Sequence, residues 1–434
     1  ITTLYTTMTE WLCRRYLMLQ NSKIQTLSEK KLYEYCHKEV TFLETLAFHA
    51  MKHNTIIIQP HLLNKIIDAT QIDSEEDYPK ILKIGLLKSF DKGSTGNQLE
   101  LEKDHYFIHL SFQEYFAARY LIHALNDSKS EEAKVFINHQ KYNQRYALVF
   151  QFISGLISET HSQPKVEMFW NIILGEPLDM VGIRHMQLVI SCLDAASGIT
   201  TIPSHSELLK RIANYIQHCI LQSSEYEINS NQIMQHFKAA ESVINNDILL
   251  EMFISLLKHG DTNINRQTLV VLRHLNISNQ LDTIRTLIAN YLSHQDPTVR
   301  KCACEVLRKM GEKAATNEVI GKLVSALRDH DYTVRQNAYE ALGKMGEKAA
   351  THEVIGKLVS ALRDHDYTVR QNACKALSYM GENAETSEVI NQLVSALGDQ
   401  NENVRKSACK ALDKMGKKAA THEVIGKLVS ALRD

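Results

Sequence analysis

The stretch Gly311 to Met345 is followed at once by Gly346 to Met380, which repeats it with five differences in 35 positions. No other feature restricts the fold as much. Gly381 to Met415 is a looser third copy and Gly416 to Asp434 the first half of a fourth. Upstream, Asn276 to Met310 keeps the phase, with Asp296, Val299 and Arg300 in register, and Glu241 to Leu275 keeps it faintly. Within a copy, Val319, Ile320, Leu323, Val324 and Leu327 make one helical stripe, and Val334, Ala338, Ala341, Leu342 and Met345 make a second. Each copy reads as a helical hairpin. Thr316 is placed to cap its first helix and Asp331 its second, and the glycine after each terminal methionine supplies a left-handed residue. Two helices cannot bury both stripes alone, so neighbouring copies must stack into a solenoid.

The period and phase resemble HEAT repeats of the short, phycobilisome-lyase-like kind, over residues 241–434. Asp296, Asp331 and Asp366, with Arg300, Arg335, Arg370 and Arg405, recur every 35 residues and are expected to tie adjacent turns together. Asn401 breaks the acidic series. The copy 311–345 holds five basic and five acidic residues, which does not support a nucleic-acid stripe. Four of the five differences fall on the second helix: Tyr339 against Cys374, Glu340 against Lys375, Gly343 against Ser378, and Lys344 against Tyr379. Their offsets of i, i+1, i+4 and i+5 share one helix face, so these eight residues are the expected ligand-binding face, with a protein as ligand.

Composition agrees with helices. Gly (17) and Pro (6) are scarce in 434 residues, and 44% of the chain is hydrophobic. Lys plus Arg (49) balances Asp plus Glu (50), so neither nucleic acid nor an anionic membrane is an expected partner. The best apolar run, Tyr146 to Ile157, is shorter than the ~20 residues a membrane helix needs. Eight cysteines without a CxxC pair suit a reduced, cytoplasmic protein. The start at Ile1 and the end inside a repeat read as cuts in a longer chain.

Before the repeats the periodicity changes. KIGLLKSF (83–90), the turn residues 91–97 with Gly93 and Gly96, then QLELEK and HYFIHL read as a β-hairpin. Ser111 and Glu114 are spaced as a capping box opening SFQEYFAARYL, so His109 falls beside a helix N-terminus, where an anion such as phosphate could sit. The string YFIHLSFQEYFAARYL (106–121) resembles the end of the winged-helix domain of NACHT-type signal-transduction NTPases, the group containing Nod-like receptors. ITTLYTTMTEWLCRRYL resembles the last helix of that family's first helical domain, and RYALVFQFISGLI with EPLDMVGIRHMQLVISCL the helical segment before its repeats. The resemblance implies residues 1–25 as the end of a helical domain, 26–125 as a winged-helix domain, 126–240 as a helical linker domain and 241–434 as HEAT-like repeats. It further implies that His109 contacts the β-phosphate of ADP in a closed form. ADP or ATP with Mg would be cofactors of an intact protein with its own NTPase domain, which self-associates on activation.

No GxxxxGK[ST] occurs in the chain, so no cofactor and no nucleotide hydrolysis are expected of it. The pairs His352-Glu353 and His422-Glu423 lie 70 residues apart at helix starts, a poor arrangement for iron. Cys304, Cys374 and Cys409 share the repeat position of Tyr339, which points to packing. No catalytic or metal site is expected, and lyase or hydroxylase activity rests on analogy alone. The fold class is thus mainly α: a small winged-helix domain with a β-hairpin, a helical linker domain and a C-terminal α-solenoid of HEAT-like repeats. The function read from this is the sensor portion of a nucleotide-switched signalling NTPase; the alternative is a passive protein-interaction scaffold.

Overall fold

Single side chains set the helix starts in the repeats. Thr316 Oγ1 accepts from the Val319 N–H at 3.3 Å, and Thr351 and Thr386 repeat the arrangement. Asp331 Oδ1 accepts from Thr333 and Val334 N–H at 2.8 and 3.2 Å. Asp296, Asp366 and Asn401 cap in the same way, so Asn401 loses the charge of the series and keeps the cap. Gly311 and Gly381 have φ of 56° and 57°. With ψ of −132° and −133° they lie outside the left-handed helical basin and open 3-10 turns, Gly311–Ala314 and Gly381–Ala384. The expected left-handed cap is therefore corrected to a glycine-dependent turn.

The computed structural model describes residues 1–18, 29–90, 99–126, 130–159, 163–179, 182–196, 202, 204–222, 232–278 and 281–416. The expected hairpin tip at 91–97 and the half copy beyond Gly416 lie outside them. The chain forms two compact units, Ile1–Leu208 and Leu209–Asp434.

Among the described residues the second unit holds five successive hairpins. Their first helices are Asp247–Leu257, Leu281–Asn290, Asn317–Ala326, His352–Ala361 and Ser387–Ala396. Their second helices are Thr262–Leu272, Pro297–Met310, Tyr332–Lys344, Tyr367–Met380 and Glu402–Lys414. Both expected stripes are buried in copies 311–345, 346–380 and 381–415, except that Ile355 and Ile390, at the position of Ile320, are half-buried. Second helices of neighbouring copies pack directly on one another and form the closer layer of the stack. Arg300 donates to Asp329 of the next copy through Nε and Nη2 at 2.6 and 2.7 Å, and Arg370 to Asp399 at 2.7 and 2.9 Å. Each of these arginines also donates from Nη1 to two carbonyls of its own hairpin turn, as Arg335 and Arg405 do. The arginine ladder is structural.

In the first unit, α1 (Thr2–Met18) and α2 (Glu29–Tyr35) precede α3 (His37–Lys52), α4 (Pro60–Thr70) and α5 (Tyr78–Ile84). A two-stranded antiparallel sheet follows, β1 (Leu87–Phe90) with β2 (Asp104–Phe107), pairing Leu87 with Phe107 and Phe90 with Asp104. Of QLELEK, the described part 99–103 does not form the second strand: Glu100–Glu102 is a 3-10 turn, because Glu100 accepts from Ser89 Oγ and Lys103 Nζ, each at 2.6 Å. Next come α6 (Leu110–Asn126), α7 (Ser130–Gln140), α8 (Ala147–Glu159), α9 (Gln163–Leu174) and α10 (Ile183–Ala195). The core centres on α6, packed between α3 and α8, with Phe42, Tyr115, Phe116, Phe150 and Phe152 fully buried. No helix among the described residues is long and apolar enough to cross a membrane.

Candidate interaction face

The four paired differences occupy the second helices Tyr332–Lys344 and Tyr367–Met380, at the seam between copies. Tyr339 and Cys374 are 3% and 0% exposed, and burial pushes both groups up, the Cys374 thiol to about 12. Gly343 is buried as well: a Cβ there would stand 2.9 Å from Tyr379 Cδ2 and 3.2 Å from Ala376 Cα. Glu340 accepts from Arg308 of the preceding copy and from Gln336 Nε2 at 3.2 Å. The Lys344 ammonium lies 4.4 Å from the ring centroid of Tyr379, and Ser378 Oγ donates to Lys410 O at 3.4 Å. The expected open face is therefore corrected for Tyr339, Cys374 and Gly343, since the shared offsets mark where one copy touches the next. Lys344 and Tyr379 are exposed, and Glu340, Lys375 and Ser378 are half-buried.

Two sets of residues escape a comparison of only two copies. Asp329 and Asp399, two positions before each helix cap, are the acidic partners of the arginines. Lys309, Lys410 and Lys414 extend the series of Lys344 and Lys375 onto the second helices of the neighbouring copies. Both signals lie in the 35-residue period once all copies are aligned.

In the first unit, His109 directly precedes α6 and is exposed. Its Nδ1 accepts from the Ser111 N–H at 3.2 Å and is bonded to the Ser111 hydroxyl, which is in turn bonded to Tyr5 Oη. This assigns the ring proton to Nε2. His109, not Ser111, caps the helix, which corrects the expected capping box. The imidazole held in the core is His105, 0% exposed, whose Nδ1 donates to Lys103 O at 3.0 Å and whose Nε2 accepts from Tyr78 Oη at 2.6 Å. Burial lowers its pKa and keeps it neutral.

A cleft of about 820 Å³ in the same unit is lined by α1, α2, α3, α6 and α8, with Glu44, Arg119 and His123 on its floor. Arg119 Nε and His123 Nδ1 donate to the two Glu44 oxygens at 2.7 and 2.9 Å, an arrangement that fixes α6 to α3. None of the eight cysteines, all of which lie among the described residues, forms a disulfide. No cluster of His, Cys, Asp or Glu among the described residues could hold a metal ion.

Stacked hairpins tied by inter-copy pairs define a helical-repeat solenoid of the armadillo/HEAT type. The family model for HEAT repeats matches residues 355–434. NACHT, LRR and PYD domains-containing protein 4C of Mus musculus is 27% identical over 198 residues, 43% of this chain and 18% of that protein, so the chain spans less than a fifth of its length. Among solved structures, a designed armadillo repeat protein in complex with the peptide (KR)4 is 17% identical over 49% of this chain and 95% of its own, with a TM-score of 0.36. The karyopherin Kap121p, bound to the extreme C-terminus of the protein phosphatase Cdc14p, is 10% identical over 96% of this chain and 54% of its own, with a TM-score of 0.43.

Proposed function

We propose that the chain is a protein-interaction scaffold whose repeats receive a protein partner on the second-helix layer. One observation carries this reading. The stripe residues and the arginines that hold the copies together are constant, while Lys344, Lys375, Ser378 and Tyr379 change between near-identical copies and remain accessible. The test is affinity capture with the chain, with a Lys344→Glu/Tyr379→Ala variant, and with Lys357→Glu on a first helix. A partner retained by the parent and Lys357→Glu but lost by the double variant supports the scaffold face. Equal recovery by all three overturns it.

A second reading is supported by the surroundings of His109. Its Nε2–H is free of the helix cap, and Tyr106, Ile108 and Leu110 around it are 36–42% exposed, as are Leu4, Met8 and Trp11 on α1 to a similar or greater degree. Such apolar surface suits a neighbouring domain. In this reading the 26–125 region is the winged-helix domain of a cytoplasmic NACHT-type switch, and His109 contacts ADP held by that protein's NTPase domain. In the intact protein His109→Ala should then weaken ADP retention by about 1.5–3 kcal/mol, the value of a hydrogen bond to a charged acceptor. Unchanged ADP affinity returns His109 to a capping role.

A further inference from the structure

The pairs that close the solenoid leave one set of charges unused. Lys309, Lys344, Tyr379 and Lys414 hold one position in four successive copies, and Lys375 and Lys410 stand one helical turn before it in the last two. All are exposed except Lys375, which is half-buried, and among the described residues none of these lysines makes an ion pair. The carboxylates of the same layer are already engaged. Glu305 is held by Arg273 at 2.8 Å and Glu340 by Arg308, each from the preceding copy, with side chains only 12% and 19% exposed. Asp413 is the exposed carboxylate that remains on these helices, while Glu312, Glu347 and Glu382 are exposed in the turns that follow them. Lys344 and Tyr379, neighbours in the row, are in contact across the seam between their copies.

We infer that this row is the track for an extended acidic segment of the partner protein. The inference rests on the scaffold reading and names the chemistry of its ligand. Packed helices stand roughly 8–10 Å apart, and an extended chain advances about 3.3 Å per residue, so a carboxylate at every third residue meets a lysine in each copy. Tyr379, half exposed, offers a ring to the side chains between them. Duplex nucleic acid fits less well. It carries a charge every ~1.7 Å of its axis, so five lysines spread over four helices would leave most phosphates unneutralised and set others against Asp413.

The test is fluorescence anisotropy on the full chain with a labelled (Glu-Gly-Ser)6 peptide, its (Lys-Gly-Ser)6 counterpart and a 20-base-pair DNA duplex. The acidic peptide should bind best, lose affinity as salt rises, and lose about tenfold in Lys344→Glu/Lys375→Glu while Lys357→Glu is unaffected. Thermal melts would confirm that each variant folds. Equal binding of the two peptides, insensitivity to the double charge reversal, or tighter binding of the duplex would overturn the proposal. If the peptide fails while the captured partner still needs the second-helix layer, the acidic track falls and the scaffold stands; if capture fails too, both fall.

Discussion

Two carboxylates of the first unit respond to pH in opposite directions. Glu44 is 2% exposed, and burial pushes its carboxyl up, yet the bonds from His123 and Arg119 outweigh burial and hold it below the usual range. Glu114, at the start of the second turn of α6, is half-buried; burial pushes it up to about 7 against the opposing charge of Arg145. A lowered folded value gives stability that is complete above the unfolded value of about 4.3 and lost as pH falls through the folded one. A raised value works the other way, so stability at Glu114 is lost as pH rises from about 4.3 towards 7. Glu44→Gln should therefore destabilise the fold at pH 7 by about 3–5 kcal/mol, because it leaves the Arg119 charge buried. Glu114→Gln should raise the melting temperature at pH 8 and raise it much less at pH 5. Melts of both variants at the two pH values check this, and a pH-independent effect of Glu114→Gln would refute the ionised burial of that group. Neither role is visible in sequence, since Glu44 and Arg119 stand 75 positions apart.

At the scale of the helix, the two glycines of nearly identical copies separate packing from propensity. A Cβ at Gly343 would press on Tyr379 and on the backbone of Ala376, whereas at Gly356 nothing lies within 4 Å. Gly343→Ala should cost about 1–3 kcal/mol through overpacking, and Gly356→Ala should gain about 0.5–1 kcal/mol by favouring the helix. Urea titrations of both would show the opposite signs; a gain at Gly343 would mean the second helices yield to the extra methyl. Likewise Glu340→Lys would set a second cation against Arg308, so exchanging the variable residues between copies is not neutral to stability. Features encoded within one turn were legible in sequence: the stripes, the caps at Thr316 and Asp331, and the positive φ after each methionine. Features that depend on how copies meet were not. Gly343 opposes Tyr379 and Arg300 finds Asp329 only through the register of stacked helices, which no local pattern carries. The alternation in QLELEK misled for a related reason, since its i to i+3 pair of Glu100 with Lys103 favours a tight turn over a strand.

For the solenoid as a whole, each copy touches its neighbours alone, so stability is close to a sum of hairpin terms and interface terms. The interfaces are not equal. Arg300 and Arg370 grip the next copy through two hydrogen bonds to one carboxylate, while Arg335 reaches Asp366 at 3.6 Å. All three hold their own hairpin turns through Nη1, so that contribution is common and drops out of a comparison. Arg370→Ala should therefore cost more than Arg335→Ala, by about 1.5–3 kcal/mol, the range for hydrogen bonds to a charged group. The loss should also appear as weaker coupling. With the interface after copy 346–380 loosened, copy 381–415 should open ahead of the copies before it, broadening the denaturation curve and lowering its slope. Hydrogen exchange resolved by copy provides the decisive measurement. Faster exchange confined to 381–415 in Arg370→Ala would locate the coupling in the Arg370–Asp399 pair, whereas equal, uniformly distributed effects in Arg335→Ala and Arg370→Ala would place it in the apolar stripes.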